Sequence, residues 1–405
     1  VLSVSRGYLQ GHKFITPTPI SQVIEQLVRV VIIVVGSYLM LKEFKLPLRS
    51  AVGCAVFAAT IGALCSYFYI YMKIKKNKEQ LILKSKVKEP QITTKEILKK
   101  LIVYAVPFVM IDLFRSIYNS VDVITLVKAL VNDFGYATKD AETVMSVIST
   151  WGLKLNMIII SIVSGMMTSL IPNLTDSFVK KDMKDVERKI NQTLEVILCV
   201  SLPMTIGLSF LTTPVWKAFY GASVYGPITY RYLVFVAFAT TLFTASTTTL
   251  QLLKEYKMVF VTLIVGLLLK STLNIPFMYL ANNLGIYPFY GAITATILGF
   301  VTSAIIATVH IKRKFNISYK DVYSQFKHIV VGVALILLSM FLLEVFIPLK
   351  VNSRILSILI AGLYALVGGS VYLFYMYKTK TLEKVFGKSI LEKIKNKLCR
   401  KRKEA

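Results

Sequence analysis

The sequence predicts an all-α polytopic membrane protein of about ten transmembrane helices. Three observations carry that expectation. First, the chain has 405 residues, is 55% hydrophobic, and repeats apolar runs long enough to cross a hydrocarbon core of about 30 Å as a helix. Second, its formal charge is +27, and most of the basic residues fall in alternate connections between those runs. Third, the strong polar residues inside the runs recur three or four positions apart, which places them on single helix faces. A soluble nucleic-acid binder can be this basic, but it does not carry one apolar run after another. No nucleic-acid partner is therefore expected.

The first span, 18–41, has Thr18 as N-cap and Pro19 in the first helical turn, where its missing N–H is no loss. A second span follows at 50–72. The lysine-rich segment 73–100, "KIKKNKEQLILKSKVKEPQITTKEILKK", has no long apolar run and reads as a cytoplasmic linker between two bundles. Eight further spans are expected at 100–127, 145–171, 190–211, 229–250, 257–280, 287–311, 328–348 and 355–377. The tail spaces Leu382, Phe386, Ile390, Ile394 and Leu398 four apart among lysines. That pattern suits a basic amphipathic helix on a membrane face, or a solvated positive tail. The chain starts at Val1 without Met or signal peptide, and "VLSVSRGYLQG" reads like the interior of a longer chain. A truncated N-terminal bundle is the expectation.

The segments 1–16, 73–100, 180–189, 254–257, 312–327 and 378–405 hold 35 of the 48 Lys and Arg. The intervening loops are short, so the positive-inside rule puts both termini in the cytoplasm. The same charge attracts anionic inner-leaflet lipid. Cys54, Cys65, Cys199 and Cys399 show no pairing or C-x-x-C spacing, and His12, His310 and His328 are dispersed. No metal, disulfide or cofactor is expected from them.

Charged groups deep in a bilayer cost roughly 2.5–3.5 kcal/mol on insertion scales and tend to face a bundle interior or a wet cavity. In the first span Gln22, Glu25, Gln26 and Arg29 share a face, and Glu25 can pair with Arg29 along it. In the third, Asp112, Arg115, Asn119 and Asp122 line one stripe. The fourth adds Lys154, Ser161, Gly165 and Thr168, and the seventh adds Lys270 and Asn274 one turn apart. The threonine-rich run 240–251 can satisfy its hydroxyls on its own backbone. Arg29, Arg115, Lys154 and Lys270, with Asn274, are the candidates for an acidic substrate, since arginine offers phosphate a bidentate fork and lysine a point charge. Glu25, Asp112 and Asp122 are the candidates for a coupling H⁺ or Na⁺. Internal salt bridges that merely join helices are the competing explanation for the same charges.

"RGYLQG" (6–11) followed by "TPTPISQVIEQLVRV" resembles a signature of the bacterial polysaccharide-type lipid flippases of the MOP (multidrug/oligosaccharidyl-lipid/polysaccharide) superfamily. These include the stage V sporulation protein B-like proteins and, more distantly, MurJ-type lipid II flippases. "LKLNMIIISIVSGMMTSLIPNL" (153–174), "LLLKSTLNIPF" (267–277) and "LGIYPFYGAITATILGF" (284–300) resemble later helices of that family. The resemblance implies a fold of fourteen helices in two six-helix lobes plus two extra helices, of which this chain matches helices five to fourteen. It then divides the chain into the end of an N-terminal lobe (1–72), a linker (73–99), a C-terminal lobe (100–311), two additional helices (312–377) and a basic tail (378–405). Lys154 matches a basic cavity position that is Arg in MurJ-type members.

The implied function is alternating-access flipping of an undecaprenyl-pyrophosphate-linked glycan, either lipid II or a polysaccharide repeat unit, across the bacterial cytoplasmic membrane. No enzymatic step is required. The alternatives are a multidrug–cation antiporter of the same superfamily, which would want a net acidic cavity, and a polyprenyl-dependent glycosyltransferase, which would want paired carboxylates in a sizeable external loop. A scaffold with no transport role would leave the polar stripes unexplained.

Overall fold

The computed structural model describes residues 1–12, 14, 16–77, 93–349 and 353–386. Within its helices, some side chains, those of Asp112 and Arg115 among them, lie outside that description. Every regular element among the described residues is helical. The chain forms two compact units, Val1–Ile97 and Leu98–Ala405.

The first unit contains α1 (Leu2–Gly11), α2 (Pro17–Glu43) and α3 (Leu48–Lys76). Pro17 and Pro19 start α2, as their fixed φ allows in a first turn. Two π-helical turns, Ile32–Gly36 and Leu39–Glu43, complete it. Extended backbone at Pro47 then reverses the chain into α3. Leu9 of α1 and Ile70 of α3 are fully buried against each other's surroundings, which ties α1 to the hairpin.

The second unit contains α4 (Thr94–Asn132), α5 (Thr138–Ser146), α6 (Gly152–Val179), α7 (Met183–Phe210), α8 (Thr212–Tyr220), α9 (Tyr225–Leu252), α10 (Tyr256–Asn283), α11 (Pro288–Phe315), α12 (Lys320–Phe346), α13 (Arg354–Lys378) and α14 (Thr381–Phe386). Among the described residues, nine helices are long and apolar enough to cross a membrane. The third expected span, 100–127, lies inside the 39-residue α4.

Several boundaries differ from the sequence expectation: α2 begins at Pro17 with Thr16, not Thr18, in the N-cap position. The stretch between the expected spans 100–127 and 145–171 is not all loop: helix resumes at Thr138 and runs through a π turn (Val147–Trp151) into α6. Lys139, Asp140 and Glu142 hide that helix from a hydropathy window. The short α8 was also unanticipated; it buries Trp216 under Gly226 of α9, and Trp151 stacks on Tyr220 beside it.

The Thr-rich run of α9 closes on its own backbone as expected: Thr247 and Thr249 donate to the carbonyls of Phe243 and Ala245, each at 2.8 Å. Helices α10 and α11 cross closely. A Cβ on Gly266 would lie 2.3 Å from Ser303 Oγ, and one on Gly299 would lie 2.8 Å from the Gly266 carbonyl. The absent side chains let Ser303 Oγ donate to the Thr262 carbonyl at 2.7 Å. In the turn before α10, Glu255 accepts hydrogen bonds from Lys314 and pairs with His310, which holds its carboxyl below the usual range. Asn316, in the left-handed conformation, ends α11.

Candidate functional site

The second unit gathers three of the sequence candidates into one buried group. Lys270 and Asn274, one turn apart on α10, face Asp122 on α4. The Lys270 ammonium lies 2.7 Å from Asp122 Oδ2, and the two side chains are 1% and 9% exposed. Asn274 Nδ2 approaches Asp122 Oδ1 at 3.3 Å and donates to Thr125 Oγ1 at 2.7 Å. Thr125 in turn donates to the Val121 carbonyl of its own helix. The Lys270 ammonium also sits 4.4 Å from the centroid of the Tyr118 ring, a cation–π contact. Tyr118 Oη donates to the Thr296 carbonyl of α11 at 2.8 Å. Gly299 makes room for that phenol, since a Cβ there would lie 2.2 Å from its oxygen.

Chemically, the cluster pairs one cation with one anion and is buried. With its charge matched by Asp122, Lys270 offers little field to a phosphate, and it meets an anion only if the pair opens. Asp122 likewise meets a mobile cation only by exchanging the lysine. The arrangement is therefore a two-partner latch between α4 and α10, with Tyr118 fastening α11. The single stripe expected along α4 is divided: Asn119 is exposed, while Asp122 turns into the packed face with Tyr118 and Leu126. Asp112 and Arg115 fall where side chains are not described.

Lys154 stands exposed on α6, on the face that carries Met157, Ile158 and Ser161. The opposite face of α6 buries Leu155, Asn156 and Ile159, and Asn156 donates to the Leu233 carbonyl of α9 at 3.2 Å. That anchoring leaves Lys154 unpaired among the described ion pairs, so it is a cation open to a ligand.

In the first unit the expected Glu25–Arg29 pair gives way to another. Arg6 of α1 binds Glu25 Oε2 at 2.8 Å, Ser66 Oγ of α3 at 2.7 Å and Ser21 Oγ at 2.9 Å. Ser66 Oγ also donates to the Ser21 carbonyl. Gly62 brings α3 against α2, where a Cβ would lie 2.7 Å from the Glu25 carbonyl. The positive-inside pattern counts Arg6 only among the basic residues of segment 1–16; its place as the partner of Glu25 comes from the fold. Its glycine-flanked position and the small polar Ser21 and Ser66 were the available signals. Arg29, one turn on, is exposed and has no ion pair among the described residues.

No group of three or more His, Cys, Asp or Glu side chains among the described residues is placed to hold a metal ion.

The comparisons with known proteins agree with this architecture. Residues 1–178 match the family described as polysaccharide biosynthesis protein. The lipid II flippase MurJ of Bacillus subtilis (strain 168) is 31% identical over 401 residues, covering 96% of this chain and 72% of the relative. The membrane protein YabM of the same organism is 26% identical over 217 residues, covering 53% of this chain and 39% of its own length. Among solved structures, a lipid II flippase MurJ in an inward closed conformation matches the fold with a TM-score of 0.63 at 17% identity, covering 94% of this chain and 71% of that one. A relative of this identity, matched along nearly the whole chain and the greater part of its own length, establishes kinship as well as fold: the chain belongs to the MurJ-related flippases of the MOP superfamily.

Proposed function

We propose that the protein moves an undecaprenyl-pyrophosphate-linked glycan, lipid II or a related polysaccharide repeat unit, from the inner to the outer leaflet of the bacterial cytoplasmic membrane. The observation that carries this reading is the 31% identity to a lipid II flippase across 96% of the chain. Such a substrate has a polar, anionic head and a long apolar tail, so the head needs a cationic, wet path while the tail stays in lipid. Alternating access of two bundles about a central site provides that path without covalent chemistry. Residues 1–72 then close an N-terminal lobe, 73–99 link it to a C-terminal lobe at 100–311, and 312–377 add two helices before the tail 378–405. These helices take the places of the fifth to fourteenth of the family fold.

Lys154 and Arg29, both exposed and free of described ion pairs, are the cations we assign to the head group, together with Arg115. Glu25, Asp112 and Asp122 are the acids we assign to a coupling H⁺ or Na⁺; at Asp122 any such ion must compete with the Lys270 ammonium. An apolar groove of about 390 Å³, walled by residues such as Pro203, Met204, Ile336 and Met340, suits a hydrocarbon chain. A cleft bearing Lys312, Arg313, Lys320 and Lys327 supports an attraction for anionic lipid.

The test is flipping of defined lipid-linked glycans by the purified protein in vesicles. Movement of lipid II or a repeat unit supports the reading, and transport of organic cations in their place would establish the antiporter alternative. Within that assay, Lys154→Gln is expected to lower the flipping rate at least tenfold at unchanged protein level, whereas Lys154→Arg retains most of it. A Gln variant as active as the parent would return Lys154 to a surface role.

The orientation is a separate proposal, with both termini and the turns at 180–189 and 312–319 in the cytoplasm. In a cysteine-free background, a single cysteine at Lys181 should resist an impermeant thiol reagent in intact cells while one at Tyr136 reacts. Labelling of position 181 with protection of 136 would invert the topology.

A further inference from the structure

A second polar site lies away from the helices that carry Lys154, Lys270 and Asp122. Between the first half of α7, the start of α12 and α14, the second unit encloses a cleft of about 740 Å³. Its α7 wall presents Lys184, Asn191 and Glu195, positions that share a helix face; α12 contributes Asp321 and Gln325, and α14 contributes Lys384.

Three of its lining residues are buried and carry hydrogen-bond acceptors. Asn191, Glu195 and Gln325 are 4%, 6% and 5% exposed. The Asn191 amide is oriented by its Nδ2, which donates to the Ser318 carbonyl at 2.7 Å. Its Oδ1 is thereby turned elsewhere, and among the described residues it has no donor; neither has Gln325 Oε1. Buried polar atoms are almost always satisfied by protein or by water, so these two oxygens, which line the same cleft as Glu195, are open to a donor from outside the chain. Among the described residues, the cleft gathers no group of three or more acidic, His or Cys side chains placed to hold a metal ion. A primary ammonium fits, since it brings three N–H donors and a charge opposite to those of Glu195 and Asp321, to which Lys384 is the cleft's nearby cation.

The rim supplies the complement. Arg188 is engaged by Asp185, and Glu187 accepts from the Ser318 amide. Lys184 and Lys384 are both exposed and make no ion pair among the described residues. They stand at the opening of the same cleft, where an anion attached to the ammonium would reach them.

We propose that this cleft binds an ammonium–phosphate zwitterion, the chemistry of phosphoethanolamine. The ammonium sits on Asn191, Glu195 and Gln325, and the phosphate sits between Lys184 and Lys384. The proposal does not depend on the flipping activity, and the same chemistry is available from a phosphatidylethanolamine headgroup or from a soluble phosphoethanolamine.

Thermal unfolding of the purified protein tests it in detergent micelles doped with phosphatidylethanolamine, phosphatidylcholine or phosphatidylglycerol. Phosphatidylcholine keeps the phosphate but has no N–H to donate, and phosphatidylglycerol keeps the negative charge without an ammonium. Phosphatidylethanolamine is expected to raise Tm by several degrees beyond either, because a ligand that binds only the folded state stabilises it. O-phosphoethanolamine added alone separates the sources: a matching rise identifies the soluble zwitterion as sufficient, and no rise assigns the site to the lipid. The advantage of phosphatidylethanolamine should vanish in Glu195→Gln/Gln325→Leu. It should also shrink in Lys184→Gln/Lys384→Gln, a pair of exposed positions that keeps the comparison available if the first variant does not fold. Equal shifts with phosphatidylethanolamine and phosphatidylcholine, a phosphatidylglycerol shift as large as that of phosphatidylethanolamine, or an unchanged preference in the rim variant would each overturn the proposal.

Discussion

Replacing Lys270 with Met while leaving Asp122 in place is expected to cost about 3–5 kcal/mol of stability, the usual penalty for stripping a buried charge of its partner. The ammonium and carboxylate are 2.7 Å apart and almost wholly buried, so bulk solvent does not screen the charge left behind. Tyr118 would lose its cation–π partner in the same step, loosening the phenol that joins α4 to α11. The double variant Lys270→Met/Asp122→Leu should recover most of the loss, because replacing a whole buried pair by apolar side chains is close to neutral. Asn274 would keep its bond to Thr125 in that variant. Chemical unfolding of the four proteins of this cycle measures the coupling directly. Additive effects of the two substitutions, with Lys270→Met costing under about 1 kcal/mol, would show that the latch is not a stabilising element. If the double variant is stable yet fails to flip substrate, the pair's contribution lies in the transport cycle.

Gly291→Ala should be as damaging, through backbone geometry alone. A Cβ there would lie 2.1 Å from the Phe277 carbonyl oxygen and 2.3 Å from its carbon. Those are main-chain atoms of α10, which no rotamer change can move. The two helices must separate by about an ångström or more along their crossing, and overpacking of this kind costs typically 1–3 kcal/mol, occasionally more. The site has little slack, because Gly266 and Gly299 already bring the same two helices into contact further along. Gly362→Ala is the matched control, since nothing lies within 4 Å of a Cβ at that position of α13. A large fall in membrane-inserted protein and in Tm for Gly291→Ala, with Gly362→Ala unchanged or slightly more stable through helix propensity, is the expected pattern. Equal behaviour of the two variants would mean that the α10–α11 crossing is looser than its geometry indicates.

The sequence by itself determined the class of the protein, nearly all of its membrane-crossing helices and its family. Those features follow from local rules. A run of about twenty apolar residues reports itself whatever it packs against, and the Thr247 and Thr249 hydroxyls find acceptors on their own helix. It missed α5, where Lys139, Asp140 and Glu142 mask a helix that only its connection to α6 explains. Helical spacing also told which polar residues share a face, and it brought Lys270 and Asn274 together correctly. It could not tell which way each face turns. Residues three apart still differ by about 60° around the helix, so Asn119 and Asp122 look like one stripe and yet end on exposed and buried sides of α4. Partner choice was decided by tertiary structure alone. Glu25 sits one turn from Arg29, but Arg6 reaches it with support from Ser21 and Ser66, forming three hydrogen bonds where the intrahelical pair offers one weak contact. Lys270 finds Asp122 across 148 positions of sequence. Removing a charge from water is tolerable only where an opposite charge is already fixed nearby, and the chain order of the residues does not record that place.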